Sequence, residues 1–312
     1  MSEHSTDVFE TRAKGKLLLS GEYFVLDGAL ALALPVRFGQ TLHIEGWKEP
    51  GLLSWSSKNE NGIPWYLAEF ELPGLHILTD TDRRITENLT AILKACQTQN
   101  PDFLNGACGY KVYTQNDFPR SWGLGTSSTL IAAVARWAKV DPYRVLFETM
   151  GGSGYDIACA YAESPLTYRL LDGVPITQSV DFQPVFRNNL YFVYLDKKQD
   201  SRAGIQRYRT QVKGNAALLE QVSDLTLRMV HAGSLAEFEQ LMDAHERLIQ
   251  SVLDLPRVQE LHFSDYWGTV KSLGAWGGDF VLAAGSGSAE ETRAYFEGKG
   301  FGTVLDWGEM VE

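Results

Sequence analysis

The residues with the clearest chemical potential lie in Pro119-Arg120-Ser121-Trp122-Gly123-Leu124-Gly125-Thr126-Ser127-Ser128-Thr129. Two glycines flanking one leucine permit a tight turn, hydroxyls follow, and Leu130 to Trp137 is apolar at helical spacing. The pattern predicts a loop that opens into a helix. The first N–H groups of a helix have no intrahelical partner, and the aligned peptide dipoles place partial positive charge there, so a phosphate is a natural occupant. Thr126, Ser127 and Ser128 can cap the helix or turn a hydroxyl toward a phosphate-bound Mg²⁺. An ordinary glycine turn with a Ser/Thr cap leaves the same trace. The stretch is not a Walker A loop, which needs Gly-Lys-Ser/Thr, and Ser128 stands where a dinucleotide fingerprint has its last glycine.

A chain of 312 residues is long for one core and fits two domains, and its 44% hydrophobic content supplies a sizeable interior. The net charge of -11 opposes a nucleic acid or an anionic membrane as partner, so cations for an anionic substrate must be concentrated locally. Cys96, Cys108 and Cys159 lack the paired spacing of a zinc site and read as reduced thiols of a cytoplasmic protein. The polar, acidic start Met1 to Asp7 carries no signal-peptide pattern, and no apolar run approaches the roughly 20 residues of a membrane span.

The elements around the loop follow from periodicity. Phe9 to Ile44 reads as extended and buried, broken by turns at Ser20-Gly21-Glu22 and Asp27-Gly28, with Tyr23 to Leu26 extended between them. Thr41 to Trp47, Leu52 to Ser56 and Trp65 to Leu72 predict antiparallel strands, Ile85 to Cys96 a helix, and Ala107 to Thr114 a strand delivering the chain to the glycine loop. Short helices follow at Pro142 to Glu148 and Tyr155 to Ala162, the latter with Asp156 in its first turn. Beyond Pro165 come a strand at Tyr191 to Leu195, a polar, cationic loop Asp196 to Arg202, and two helices bearing Leu218 to Met229 and Leu235 to Val252. His245 on the second reads as a core histidine. A glycine cluster before the strand at Phe280, a helix at Ala289 to Glu297 and a strand near Thr303 to Leu305 complete the chain.

Three glycine-bearing motifs, at the start, middle and end, resemble those of the GHMP kinases. Lys14-Gly15-Lys16-Leu17-Leu18-Leu19-Ser20-Gly21-Glu22-Tyr23 is similar to the first, with Lys14 where proline is usual. Pro119 to Thr129 is similar to the second, with Thr126 in place of a serine and Ser128 and Thr129 in place of alanines. Lys271 to Gly278 is similar to the third, with Leu273 and Trp276 as departures. Gly21 to Leu26 and Gly152 to Ala158 look closest to the mevalonate and phosphomevalonate branch, and to a bacterial subgroup named for its Gly-Tyr-Asp-Ile-Ala string.

The resemblance implies an α+β fold of two domains, residues 1–165 like ribosomal protein S5 domain 2 and residues 166–312 ferredoxin-like, with the active site in the cleft between them. ATP and Mg²⁺ are the implied cofactors. Gly123, Leu124, Gly125, Thr126, Ser127 and Ser128 would hold the ATP phosphates, Ser127 and Glu148 the metal, with Ser128 the fallback for Ser127. Asp156 and Lys16 are the implied catalytic pair, the carboxylate taking or orienting the acceptor's proton and the lysine lying near the γ-phosphate. Glu22, Tyr23, Gly274 and Ala275 are expected at the substrate. The run Lys197, Lys198, Ser201 and Arg202 suits an anionic acceptor, a solvated face being the alternative. Trp55, Ser56 and Ser57 are adenine candidates.

The expectation is therefore a small-molecule kinase using ATP and an anionic acceptor, mevalonate or phosphomevalonate, with neither nucleic acid nor membrane as partner and a homodimer left open. The alternatives are a sugar kinase, a non-catalytic binding protein of the same fold, and diphosphomevalonate decarboxylase.

Overall fold

The computed structural model describes residues 8–197, 201–211, 215–274, 276 and 278–311, with backbone alone at 201–203 and 211. Two compact units form from interleaved segments. The first takes the chain up to Gly15, Phe38–Arg120 and Gly125–Tyr161; the second takes Lys16–Arg37, Ser121–Leu124 and everything from Ala162. The chain thus passes between the two units at several points. The physical reason is strand length: β1 (Val8–Ser20) has 13 residues and β2 (Ala31–Trp47) has 17, two to three times an ordinary strand, so each contributes to both units.

In the first unit β2 is followed by β3 (Leu52–Lys58), β4 (Pro64–Glu71), β5 (His76–Asp80), α1 (Arg83–Gln99), β6 (Gly109–Asn116), α2 (Thr126–Ala138), α3 (Pro142–Thr149) and α4 (Tyr155–Tyr161). The strands lie in the order β5-β4-β3-β6-β2, antiparallel except for the parallel pair β3 and β6, and β1 pairs with β2. Alternation along β3 turns Leu53 and Trp55 inward, where they meet Leu89, Ile92 and Leu93 of α1, Ile131 and Val134 of α2, and Ile157 of α4. Asp82 starts α1 by accepting from the N–H of Ile85 at 3.2 Å, and Asp141 followed by Pro142 starts α3 in the same way.

In the second unit come β7 (Leu166–Leu171), β8 (Val174–Ser179), β9 (Leu190–Tyr194), α5 (Ser201–Gln211), α6 (Ala216–Val230), α7 (Leu235–Leu253), α8 (Val258–His262), β10 (Thr269–Ser272), β11 (Phe280–Ala284), α9 (Ala289–Gly298), β12 (Val304–Asp306) and α10 (Trp307–Met310). The first residues of β2 pair with β7, and β7 with β8. The other strands make an antiparallel sheet in the order β10-β11-β9-β12, which is the ferredoxin-like arrangement. A separate apolar cluster joins Phe24 and Ala29 to Tyr208, Val222, Ile249, Leu253 and Trp276. The helix faces expected on α6 and α7 are buried apart from the half-buried Leu218 and Leu235, and His245 is buried. No helix among the described residues is long and apolar enough to cross a membrane.

Two segments depart from the sequence reading. Tyr23 to Leu26 is not extended: Phe24–Asp27 is a turn of 3-10 helix, because Gly21 and Tyr23 sit at φ +87° and +63° and bend the chain away from a strand path. The expected cationic loop is helical from Ser201 onward.

Gly21 has a second constraint, since a Cβ there would lie 2.7 Å from that of Ala31. Gly21→Ala is expected to destabilise the protein by about 2 kcal/mol or more through backbone strain and overpacking. Urea denaturation of the variant checks this; an unchanged midpoint would show that the turn relaxes freely.

Candidate nucleotide and acceptor site

Thr126, Ser127 and Ser128 form the first turn of α2, and the preceding Gly125 is left-handed at φ +93°. No side chain caps this helix, whereas Asp82, Asp141, Asn215, Ser234 and Ser288 cap α1, α3, α6, α7 and α9. The hydroxyls therefore do not spend themselves on their own backbone, and the helix start keeps its attraction for an anion. Ser127 is exposed. Thr129 is buried and anchors the turn within the first unit, donating to Thr126 O at 2.9 Å and to Gln40 Oε1 at 3.1 Å.

The upstream half of the loop belongs to the second unit. There the Lys16 N–H donates to Leu124 O at 3.0 Å and the Lys16 ammonium donates to Gly123 O at 3.0 Å. Lys16 is thus half-buried and tied to the loop at both ends rather than waving from a strand terminus. Tyr194 donates its hydroxyl to Ser121 O at 3.0 Å, and Trp122 meets Phe280 edge-on, their ring centroids 5.5 Å apart. Gly123 is left-handed at φ +68°, and a Cβ there would fall onto the carboxylate of Asp279, 2.8 Å from Oδ1 and nearer still to Oδ2.

The first and third glycine motifs meet in the same unit. Lys271 is completely buried, its ammonium bonded to Glu22 Oε1 and to Ser272 O at 2.8 Å, with Glu246 Oε1 3.8 Å away. Glu246 accepts from the Ser272 N–H at 3.2 Å. Burial, and secondarily the Glu22 charge, push the Glu246 carboxyl up to about 8, against the pull of Lys271, so at neutral pH it holds its proton. Burial also raises the Glu22 carboxyl while Lys271 opposes it. His245 accepts from the Gly21 N–H at 3.0 Å and is held neutral by burial and by Lys271, well below the usual histidine range. Tyr23 completes the junction: its hydroxyl accepts from the Trp276 N–H at 2.9 Å.

A comparison with protein-family models and with curated sequences finds no match. Solved structures do match over nearly the whole chain. Mevalonate kinase of Methanococcus jannaschii superposes with a TM-score of 0.70 at 15% identity, covering 98% of both chains. Phosphomevalonate kinase of Streptococcus pneumoniae, in complex with phosphomevalonate and AMPPNP, gives 0.69 at 16% identity, covering 96% of this chain and 99% of that one. Lactococcus lactis galactokinase complexed with galactose gives 0.68 at 13%, covering 94% and 89%. The chain has the GHMP kinase fold.

On this GHMP kinase fold the expected site residues fall into three groups. Gly123 to Ser128 and Lys16 are described above; in the first unit Asp156 is half-buried in the first turn of α4, behind Gly151 and Gly152, whose left-handed backbones have nothing within 4 Å of where a Cβ would stand. Gly274, at φ +67°, is equally open. Glu22 and Tyr23 are buried instead, so they hold the third motif rather than present their own polar atoms to a substrate. Glu148 is exposed and 4.0 Å from Arg144 one helical turn away. Lys197 is exposed; Lys198, Ala275 and the side chains of Ser201 and Arg202 lie outside the described residues. Trp55 is 1% exposed and donates to Ser57 Oγ at 3.1 Å, so neither is an adenine contact. Lys271, Glu246 and Asp279 carried no assigned role in the sequence, since nothing local marks a buried lysine or a glutamate that keeps its proton.

The two carboxyls around Lys271 predict different outcomes. Glu22→Gln leaves a buried ammonium without its counter-charge and should cost about 3–5 kcal/mol. Glu246→Gln keeps the acceptor for the Ser272 N–H. Because the Glu246 carboxyl is raised on folding, the wild type loses stability as pH rises from the unfolded value toward about 8. The melting temperature of Glu246→Gln should therefore gain on wild type between pH 5 and 8 and level off above. A gap that stays constant across thermal melts in that range would refute the assignment.

Proposed function

We propose that this protein is an ATP- and Mg²⁺-dependent kinase of the GHMP type that phosphorylates mevalonate or phosphomevalonate in isoprenoid precursor synthesis, in the cytoplasm. The observation that carries the reading is the uncapped start of α2 behind the Gly123-Leu124-Gly125 turn, with the Lys16 ammonium fixed on that turn. Such a cradle suits a triphosphate: backbone N–H groups and a held cation need no reorganisation when charge moves during phosphoryl transfer. Mevalonate and phosphomevalonate kinases among the structures of the same fold support the acceptor class.

In this reading Gly123 to Ser128 hold the phosphates and Lys16 offsets charge on the γ-phosphoryl group. Asp156 takes or orients the proton of an alcohol acceptor; for a phosphate monoester it serves chiefly to align it. Mg²⁺, when bound with the nucleotide, would neutralise phosphate charge; the exposed Ser127 hydroxyl is a fitting oxygen donor, and Glu148 would have to leave Arg144 to be another. Among the described residues no three His, Cys, Asp or Glu side chains are grouped to hold a metal by themselves, consistent with a cation that arrives on ATP. Lys197, with Lys198, Ser201 and Arg202, is assigned to the anionic acceptor, and Gly274 with Ala275 to its backbone contacts.

ADP release with Mg·ATP and single acceptors tests the proposal. Turnover with mevalonate or phosphomevalonate is expected, whereas a preference for a neutral sugar would move the protein to the sugar kinases. Asp156→Ala should lower turnover by at least about a thousandfold with ATP affinity and melting temperature nearly unchanged. Undiminished turnover would show that another group handles the acceptor.

A further inference from the structure

Tyr23 is a buried aromatic residue in a backbone conformation that favours glycine. Its φ and ψ are +63° and −45°, and the Phe24 N–H reaches back to Glu22 O at 2.7 Å, which makes residues 22–24 a γ-turn of the rarer, strained hand. Strain of this kind persists only where the surroundings over-determine it, and it gathers at functional sites. Here the surroundings are specific. The Tyr23 hydroxyl accepts from the Trp276 N–H at 2.9 Å, and the Trp276 indole donates to Pro256 O at 3.1 Å. The Tyr23 ring stacks on Tyr208 of α5, centroids 6.1 Å apart, and Tyr208 donates to Asp27 Oδ2 at 2.7 Å. One turn earlier in α5, Gly204 lies against the same ring: a Cβ there would stand 2.8 Å from Cε1 and Cζ and closer still to the hydroxyl.

The third glycine run is thus held at three points. Lys271 is paired with Glu22, Trp276 is held by Tyr23, and the Asp279 N–H donates to Lys197 O at 2.7 Å. Gly274 stays open between the first two holds. We infer that Tyr23 is a positioning residue for the acceptor: through the Trp276 N–H it fixes the third glycine run so that the Gly274 backbone meets the acceptor in one geometry, and the bare Gly204 lets α5 rest on that contact. The inference rests on the assignment of Gly274 to the acceptor. A glycine at position 23 would supply the turn without strain, so what tyrosine adds is reach, carrying an acceptor oxygen from the first motif to the backbone of the third. Without that oxygen the Trp276 N–H loses a hydrogen bond, and the run gains freedom that must be given up each time the acceptor binds.

Steady-state ADP release with mevalonate and with phosphomevalonate, in wild type, Tyr23→Phe, Gly204→Ala and the double variant, tests this together with amide exchange at Trp276. Tyr23→Phe keeps the ring and its stacking on Tyr208, and melting temperatures check that each variant folds. It should raise the KM of the accepted substrate by at least about fivefold, hold the ATP KM within about twofold of wild type, and speed Trp276 exchange by at least about tenfold. Gly204→Ala should raise the same KM by about fivefold, yet by less than about twofold when added to Tyr23→Phe, because the hydroxyl it displaces is already gone. A merely structural role would lower kcat through lost active enzyme and leave both KM values unchanged, and that result overturns the inference. A raised acceptor KM with Trp276 exchange unchanged makes Tyr23 a direct contact and overturns it as well, and additive effects in the double variant overturn the part given to Gly204. Wild type that turns over neither acceptor overturns the assignment of Gly274 and the inference with it.

Discussion

The arrangement of the second unit depends on one buried ion pair, between the Glu22 carboxylate and the Lys271 ammonium. A pair withdrawn from water gains little net stability over apolar residues of the same volume, because desolvation consumes most of the attraction. What it supplies is direction. Glu22 follows the tight turn at Gly21, and Lys271 precedes the third glycine run, so the pair sets where two loops begin. Glu246 and His245 surround it in uncharged form, leaving one negative and one positive group in the dark interior. The neighbouring Tyr23 accepts from the Trp276 N–H, which extends the hold from a side chain at the start of the run to the backbone within it.

The Gly123-Leu124-Gly125 loop follows the opposite logic. It is marked by what it lacks: a side chain on Gly123 and a side-chain cap on α2. Its rigidity comes from outside the loop. Thr129 pins the helix start in the first unit; Lys16, Tyr194 and Phe280 hold the upstream turn in the second. Asp156 is likewise placed by a left-handed glycine run that opens α4.

Elements with a long amphipathic period were legible in the sequence. α1, α6 and α7 bury the stripes that their Leu, Ile and Val spacing marks, and β3 and β4 lie where apolar residues alternate between turn signals. β8 was not legible because it is exposed along almost its whole length and so has no alternation to read. Tyr23 to Leu26 misled because its aromatic and β-branched residues favour strand, while the bend that overrides them is set by the backbone angles of Gly21 and Tyr23. The glycine loop, Lys16 and Asp156 could be singled out because chemistry was written in adjacent residues. Glu246 lies 25 positions from Lys271 and Glu22 is farther still, so the buried cluster they form exists only after folding.

The interleaving of the two units has a consequence for biosynthesis. Residues 16–37 leave the ribosome early, yet the segments that complete their unit begin only at Ser121 and Ala162. Leu17, Leu18 and Leu19, Phe24, Ala29 and the run from Ala31 to Leu34, all buried in the finished protein, must therefore wait for partners until the later segments have been translated. Long strands that serve both units make independent folding of an N-terminal half impossible to separate cleanly from the rest. Vectorial synthesis thus leaves the first glycine motif, and the lysine it carries to the Gly123 turn, among the last parts of the nascent chain to settle.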